Sequence, residues 1–220
     1  IDVEFQSGSN RWNYLELRST TQEIGNILQG TRGNKTVIQS WDGGYDSSQS
    51  NSLTKTDAAT LIVNQTVDQG YGGHVRNVWR GQGQLALVKQ GAAALTLSGP
   101  TNYTGDTTVK DGTLIFTGAT RSSNYQIDSG AVLDFNVDRG TRDMPVDMTF
   151  TGAGTLRKSG AGTLVWGRRA ATFDLDAGGW IDIAGGTLVA GSWGNENWDS
   201  NLGSLNIASG ATFRSVEAEV

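Results

Sequence analysis

The chain contains no cysteine, one histidine and two prolines among its 220 residues. Without cysteine there is no disulfide framework, no thiolate zinc site and no catalytic thiol. One imidazole is too few for a histidine-built transition-metal centre. It also leaves His74 as the sole base for any Ser-His-Asp arrangement, and nothing nearby in the sequence supports one. Basic residues are scarce as well: 17 Lys and Arg face 22 Asp and Glu, a net charge of −5 and a pI of about 4.8. That balance argues against a nucleic-acid partner, whose phosphates demand a basic stripe. No apolar run approaches the ~18 residues of a membrane-spanning helix, so membrane insertion is not expected. No signal-peptide pattern opens the sequence. It begins in strand-like alternation at Ile1-Asp2-Val3-Glu4-Phe5 and stops in the same alternation at Val216-Glu217-Ala218-Glu219-Val220. We read it as a piece of a larger secreted protein.

What is present points to an all-β chain. Glycine, 31 residues, is about twice its average share of ~7%. Glycine costs about 1 kcal/mol relative to alanine inside a helix, which argues against a helical bundle. Scarce proline and the lack of a Gly-X-Y period exclude collagen. A 36% apolar content with seven tryptophans is too rich for a disordered chain. The length suits a single domain with a sizeable core.

Internal repeats carry the architecture. Leu87-Val88-Lys89-Gln90-Gly91-Ala92-Ala93-Ala94-Leu95-Thr96-Leu97 matches Leu156-Arg157-Lys158-Ser159-Gly160-Ala161-Gly162-Thr163-Leu164-Val165-Trp166 position by position. Leu53 to Val63 reads as a weaker third copy, with Lys55 aligned to the two lysines. Asp111-Gly112-Thr113-Leu114-Ile115 echoes Gly185-Gly186-Thr187-Leu188-Val189, and Asp128 to Leu133 echoes Ala208 to Phe213, in the same order. Apolar residues alternate within each copy, the period of a strand with one buried face. Helical periodicity is absent; Gln22 to Leu28 is too short. Like strands at long, repeated offsets predict a right-handed parallel β-helix whose coils of ~20–25 residues stack copy upon copy. We expect one domain over 1–220, with divergent N-terminal coils or a cap over 1–50 and repeat-like coils over 51–220.

The stretch from Gly81-Gln82-Gly83 through Lys89, Gly91, Leu95 and Leu97 to Ser98-Gly99-Pro100-Thr101-Asn102-Tyr103-Thr104-Gly105-Asp106-Thr107-Thr108-Val109 resembles the autotransporter-associated β-strand repeat. With the second copy at 152–166 the resemblance covers roughly residues 60–215, and the first 50 residues do not share it. It implies a β-helical passenger region and an extracellular or cell-surface location. It implies no activity, because the repeat is scaffold.

Catalytic signals are thin. Asp174-Leu175-Asp176 places two carboxylates on one strand face with Asp182 beyond, a pattern open to a glycosidase acid and base, to structural Ca²⁺, or to solvated outward positions. Gly81-x-Gly83 and Gly152-x-Gly154 have no helix after them, which rules out a phosphate cradle. No catalytic residue, cofactor or metal site is assigned. The aromatics say more. Alternation puts Trp166 in the core, but Trp79 and Trp180 outward, the latter beside Asp182. Trp193 and Trp198 sit in the polar stretch Gly191 to Asn201, Trp41 and Tyr45 share another, and Trp12 and Tyr14 share a strand face. Exposed aromatics flanked by hydrogen-bonding residues are the chemistry of sugar recognition. In overall character the chain resembles β-helical carbohydrate-binding modules that bind xylan. The expected binding set is Trp79, Arg80, Trp180, Asp182, Trp193, Asn195, Glu196, Trp198, Trp41 and Tyr45, in a non-catalytic module for plant cell-wall polysaccharide. The alternatives are a structural segment of an autotransporter-like adhesin or stalk and, less favoured, a β-helical lyase or hydrolase. Unpaired strand edges at the coil ends also predict end-to-end dimers of the isolated piece.

Overall fold

The computed structural model describes residues 1–5, 12–17, 21–29, 36–40, 58–77, 83–166, 169–190 and 196–215. Every regular element among them is a β-strand, and every pairing between strands is parallel. The strands form three faces of a β-solenoid. The first is one eight-stranded sheet running from Thr21–Ile24 to Glu196–Asn197. The second is a seven-stranded sheet from Gln69–Tyr71 to Ser204–Ile207, with Val3–Phe5 and Ile27–Gln29 paired separately. The third is split: Asn13–Leu17, Thr36–Ser40, His74–Arg76 and Thr101–Asn102 form one four-stranded sheet, and Thr141–Asp143, Thr163–Val165, Thr187–Ala190 and Thr212–Ser215 form another. The expected β-helix is borne out. Along the first face Leu87 pairs with Thr107 and Phe150 with Phe173, each pair one coil apart.

Alternation explains the core. On the second face Leu95, Leu114, Leu133, Leu156 and Ile181 pair in sequence and are all buried. On the first face Tyr125, Phe150 and Phe173 form an inward aromatic column with ring centroids 5.3 and 5.8 Å apart and nearly parallel planes. Trp166 reaches that column from the third face, 5.6 Å from Phe150 and 5.9 Å from Phe173, edge to face. Its core position was expected.

The two best repeat copies do not stack on each other. Leu87 to Leu97 turns the corner from the first face to the second, whereas Leu156 to Trp166 turns the corner from the second to the third. The downstream echoes shift in the same way: Thr113–Phe116 lies on the second face and Thr187–Ala190 on the third. The repeated module is therefore rotated by one face. What repeats is a corner, and a corner fits any edge of the solenoid. The third copy is also out of register with the expectation. Val63, not Lys55, pairs with Lys89, and Leu61 pairs with Leu87; residues 53–57 lie outside the described ones.

The corner has a mechanical basis. Lys89 occupies an inward column position between Val63 and Val109 and is fully buried. Its ammonium leaves the core at the turn and donates to the carbonyls of Gln90, Gly91 and Asp111 at 3.2, 2.7 and 2.9 Å. Lys158 repeats this on the next face, donating to Ser159, Gly160 and Gly185 at 2.7, 2.9 and 3.0 Å. In each case one acceptor belongs to the following coil, so the lysine ties two coils together. The residue after that acceptor is Gly112 or Gly186, with φ of 64° and 63°. A Cβ on Gly112 would lie 2.5 Å from the Gly91 carbonyl oxygen beneath it, so only glycine allows this stacking. Burial pushes the Lys89 ammonium down to about 8, against the pull of Asp111 and Asp68.

Candidate functional site

Six of the ten residues expected to bind sugar, Trp41, Tyr45, Trp79, Arg80, Trp193 and Asn195, lie outside the described residues, as does the side chain of Glu196. The described remainder divides. Trp180 stands on the outer side of the second face and is 47% exposed. Asp182 lies two residues on, on the same side, as alternation required. Trp198 is different: its ring stacks on Phe173 at 4.2 Å and meets Phe213 edge-on at 5.7 Å. It packs against the core and extends the Tyr125–Phe150–Phe173 column by one coil. The expectation placed it on an exposed platform because its neighbours are polar. Its stacking partner belongs to the preceding coil and is invisible locally.

Register builds the surface around Trp180. Asp134, Arg157, Asp182 and Asn206 are successive partners on four coils. The Arg157 Nε donates to Asp182 Oδ2 at 2.8 Å, and Asn206 Nδ2 donates to Asp182 Oδ1 at 2.8 Å. Thr155 and Ser204 flank Trp180 in the adjoining row. The result is one exposed indole beside a fixed strip of guanidinium, carboxylate and amide, able to stack on a sugar ring and offer hydrogen bonds to its hydroxyls. At the head of the strip Asp134 is buried; its Oδ2 accepts from Ser159 Oγ at 2.9 Å, and its Oδ1 has no hydrogen-bond partner among the described residues. Burial raises its carboxyl above the usual range, against the pull of Ser159, Arg157 and Lys158. Sequence reasoning missed Arg157 and Asn206 because they meet Asp182 only through coil register.

The other candidate chemistry disperses. Asp174 is half-buried on the first face, Asp176 is exposed in the turn beyond the strand Ala171–Leu175, and Asp182 is on the second face. The expectation that Asp174 and Asp176 share a strand face fails because the strand ends at Leu175. His74 packs edge-on against Trp12 at 5.4 Å, and its pKa is lowered by burial and by Arg76. Trp12 and Tyr14, both about half exposed, flank a ladder in which Arg76 donates to Gln39 and Gln39 donates to Glu16 at 2.9 Å. The Trp12-x-Tyr14 spacing signalled this aromatic patch; its partners His74 and Arg76, far along the chain, carried no such signal. Among the described residues no group of three or more His, Asp or Glu is placed to hold a metal ion. The doublet Gly152-x-Gly154 is a turn between Met148–Gly152 and Thr155–Ser159.

The segment that repeats most clearly is thus scaffold: Lys89 ties coils, Gly91 and Gly112 make corners, and Leu95, Leu97, Leu114 and Phe116 fill the core. Tyr103 is buried, with its hydroxyl 2.8 Å from Thr107 Oγ1. Residues 87–116 match the family model of the passenger-associated-transport-repeat. No curated protein and no solved structure was found to match the chain. The matched segment covers Lys89, Gly91, Leu95, Leu97, Tyr103, Gly112, Leu114 and Phe116, all just placed at corners or in the core. None of the residues around Trp180 falls inside the matched segment.

Proposed function

We propose that the chain is a rigid β-solenoid segment of a passenger region, carried out of a bacterial cell and displayed there as a spacer or stalk. The observation that carries this reading is the place of the passenger-associated-transport-repeat. It falls on corner and core positions whose work is to stack coils. Uniform parallel stacking gives a stiff rod, which suits separation of a functional tip from a surface. The test is protease and antibody access to this segment in intact cells producing the full parent protein. Surface access supports the reading, and retention inside the cell refutes it.

A second reading adds glycan contact to the stalk and is favoured by one feature, the exposed Trp180 beside the Arg157–Asp182–Asn206 strip. A half-exposed indole on an otherwise polar sheet face is a stacking surface. Plant cell-wall xylan is the glycan of first choice. The role is binding without catalysis; Asp182 lies on a different face from Asp174. Affinity electrophoresis in xylan, glucan and pectin gels tests it. Retardation by a neutral glycan that Trp180→Ala abolishes supports glycan contact; free migration in all three leaves the stalk alone.

A further inference from the structure

We propose that the outer side of the first face holds a second glycan site, a groove that takes an uncharged, extended sugar chain lying along the solenoid axis. The groove is open to solvent, has a volume of about 210 Å³, and its lining includes Asp106, Thr108, Asn124, Gln126, Thr149 and Thr151. The inference takes its ligand class from the glycan reading above; its location is independent, being on a different sheet from Trp180.

Register makes these residues a grid. Thr108, Gln126 and Thr151 are successive outward partners on three coils, and Asn124 and Thr149 pair in the next row. Coils step by about 4.8 Å, close to the length of one pyranose unit, so each coil can address one sugar. Hydrogen bonds within the grid hold it in place. Asn124 Nδ2 donates to Asp106 Oδ1 at 2.8 Å, Gln126 Nε2 donates to Asp128 Oδ1 at 3.1 Å, and the Thr151 hydroxyl donates to the Tyr125 carbonyl at 3.2 Å. Among the described residues, the second carboxylate oxygen of Asp106, the amide oxygens of Asn124 and Gln126 and the hydroxyls of Thr108 and Thr149 make no hydrogen bond and are left for a ligand. This mixture of acceptors and adaptable hydroxyls answers sugar hydroxyls. Asp106 and Asp128 beside the groove repel a uronate or sulfated chain. Tyr125 turns its ring into the core and is 1% exposed, so it offers no stacking surface among the described residues. The groove is smaller than the ~300–1,000 Å³ of ordinary ligand pockets. It seats one or two rings, and affinity is weak.

The experiment is amide chemical-shift mapping of the ¹⁵N-labelled chain titrated with xylohexaose, cellohexaose and polygalacturonate. The expected result is saturable shifts from a neutral hexaose at residues 106–108, 124–126 and 149–151. The double variant Asn124→Ala, Gln126→Ala, which removes two hydrogen-bonding side chains, should weaken them about tenfold, or ~1.4 kcal/mol. Shifts confined to 155–157, 180–182 and 204–206 would overturn the groove and uphold the Trp180 reading. No shift with any sugar would overturn both, and tighter binding of polygalacturonate than of the neutral chains would overturn the groove's assigned ligand.

Discussion

Replacing Lys158 by methionine keeps an unbranched side chain in the core column between Phe135 and Ile183 and removes the ammonium that ties one corner to the next. Three carbonyls lose a donor. That of Ser159 still accepts the Val137 N–H at 3.0 Å, so the loss falls on Gly160 and Gly185. A buried polar group left unpaired costs about 1–3 kcal/mol. Both glycines are half-buried, which allows some solvation and selects the low end, about 2 kcal/mol in all. The opposing effect is relief of desolvation: an apolar replacement of a whole buried ionic group can be stabilising by about 1–4 kcal/mol. That relief requires the partners to be replaced too, and backbone carbonyls stay behind. The variant should therefore lose about 2 kcal/mol, or about 4–8 °C in Tm for a chain of this size. Urea and thermal unfolding followed by circular dichroism measure it. Lys110→Met, at an exposed lysine on the same solenoid, should change stability by no more than about 0.5 kcal/mol. Solenoid stability is a sum of neighbour terms, so amide exchange should quicken at 158–162 and 185–187 and not at the Lys89 corner. A Lys158→Met chain as stable as the parent, or more so, would refute the clamp.

Asp134→Asn should stabilise the chain by about 1 kcal/mol at pH 7, because it removes a buried charge while keeping an acceptor for Ser159. The folded carboxyl titrates above the ordinary aspartate value of 3.8. The parent's Asp134 contribution is thus complete below that value and falls as pH rises through the window up to the raised pKa. The gap between variant and parent should open over the same window, and a gap independent of pH would count against the assignment. Gly186→Ala should destabilise far more than Gly130→Ala, by about 2 kcal/mol or more against about 1 kcal/mol. Both have positive φ, but a Cβ on Gly186 meets the Gly162 and Gly160 carbonyls whereas one on Gly130 meets nothing within 4 Å; equal losses in urea titrations would refute the stacking argument. Trp198→Ala should lower the Tm, since it removes a ring stacked on Phe173, and should leave any xylan retardation unchanged.

The solenoid was legible because its signal is local. Alternation fixes which residues of Leu95 to Leu97 or Ile181 to Ile183 face inward, and a parallel coil needs little more than that pattern and corners made by glycine. The faces were not legible, because a corner carries no label of the edge it sits on. Lys89-Gln90-Gly91 and Lys158-Ser159-Gly160 make the same bonds at different edges, and the similarity that revealed the repeat also suggested a false stack. The same limit governs the candidate sites. Trp180 and Asp182 could be placed outward from their own strand, but Arg157 and Asn206 sit on the coils before and after and reach them only through coil length. That length is not constant. Tyr125 pairs with Thr107 on one side and with Phe150 on the other, two unequal steps along the chain that offer no regular period to read.

The tryptophan excess also divides once the packing is known. Trp166 and Trp198 extend or buttress the aromatic column, so two of the seven serve the scaffold. Trp12 and Trp180 stay about half exposed on different faces, where neither adds to the core what its size would allow. A large side chain left in water on a repeat-built sheet is unnecessary for stacking, since Thr155 and Ser204 occupy the same row beside Trp180 and pair equally well. Replacing Trp180 by threonine should therefore leave unfolding within about 0.5 kcal/mol of the parent. If urea unfolding instead shows a loss of about 2 kcal/mol or more, the size expected for truncating a core side chain, the indole belongs to the scaffold like the other two, and the second face loses its claim to a ligand.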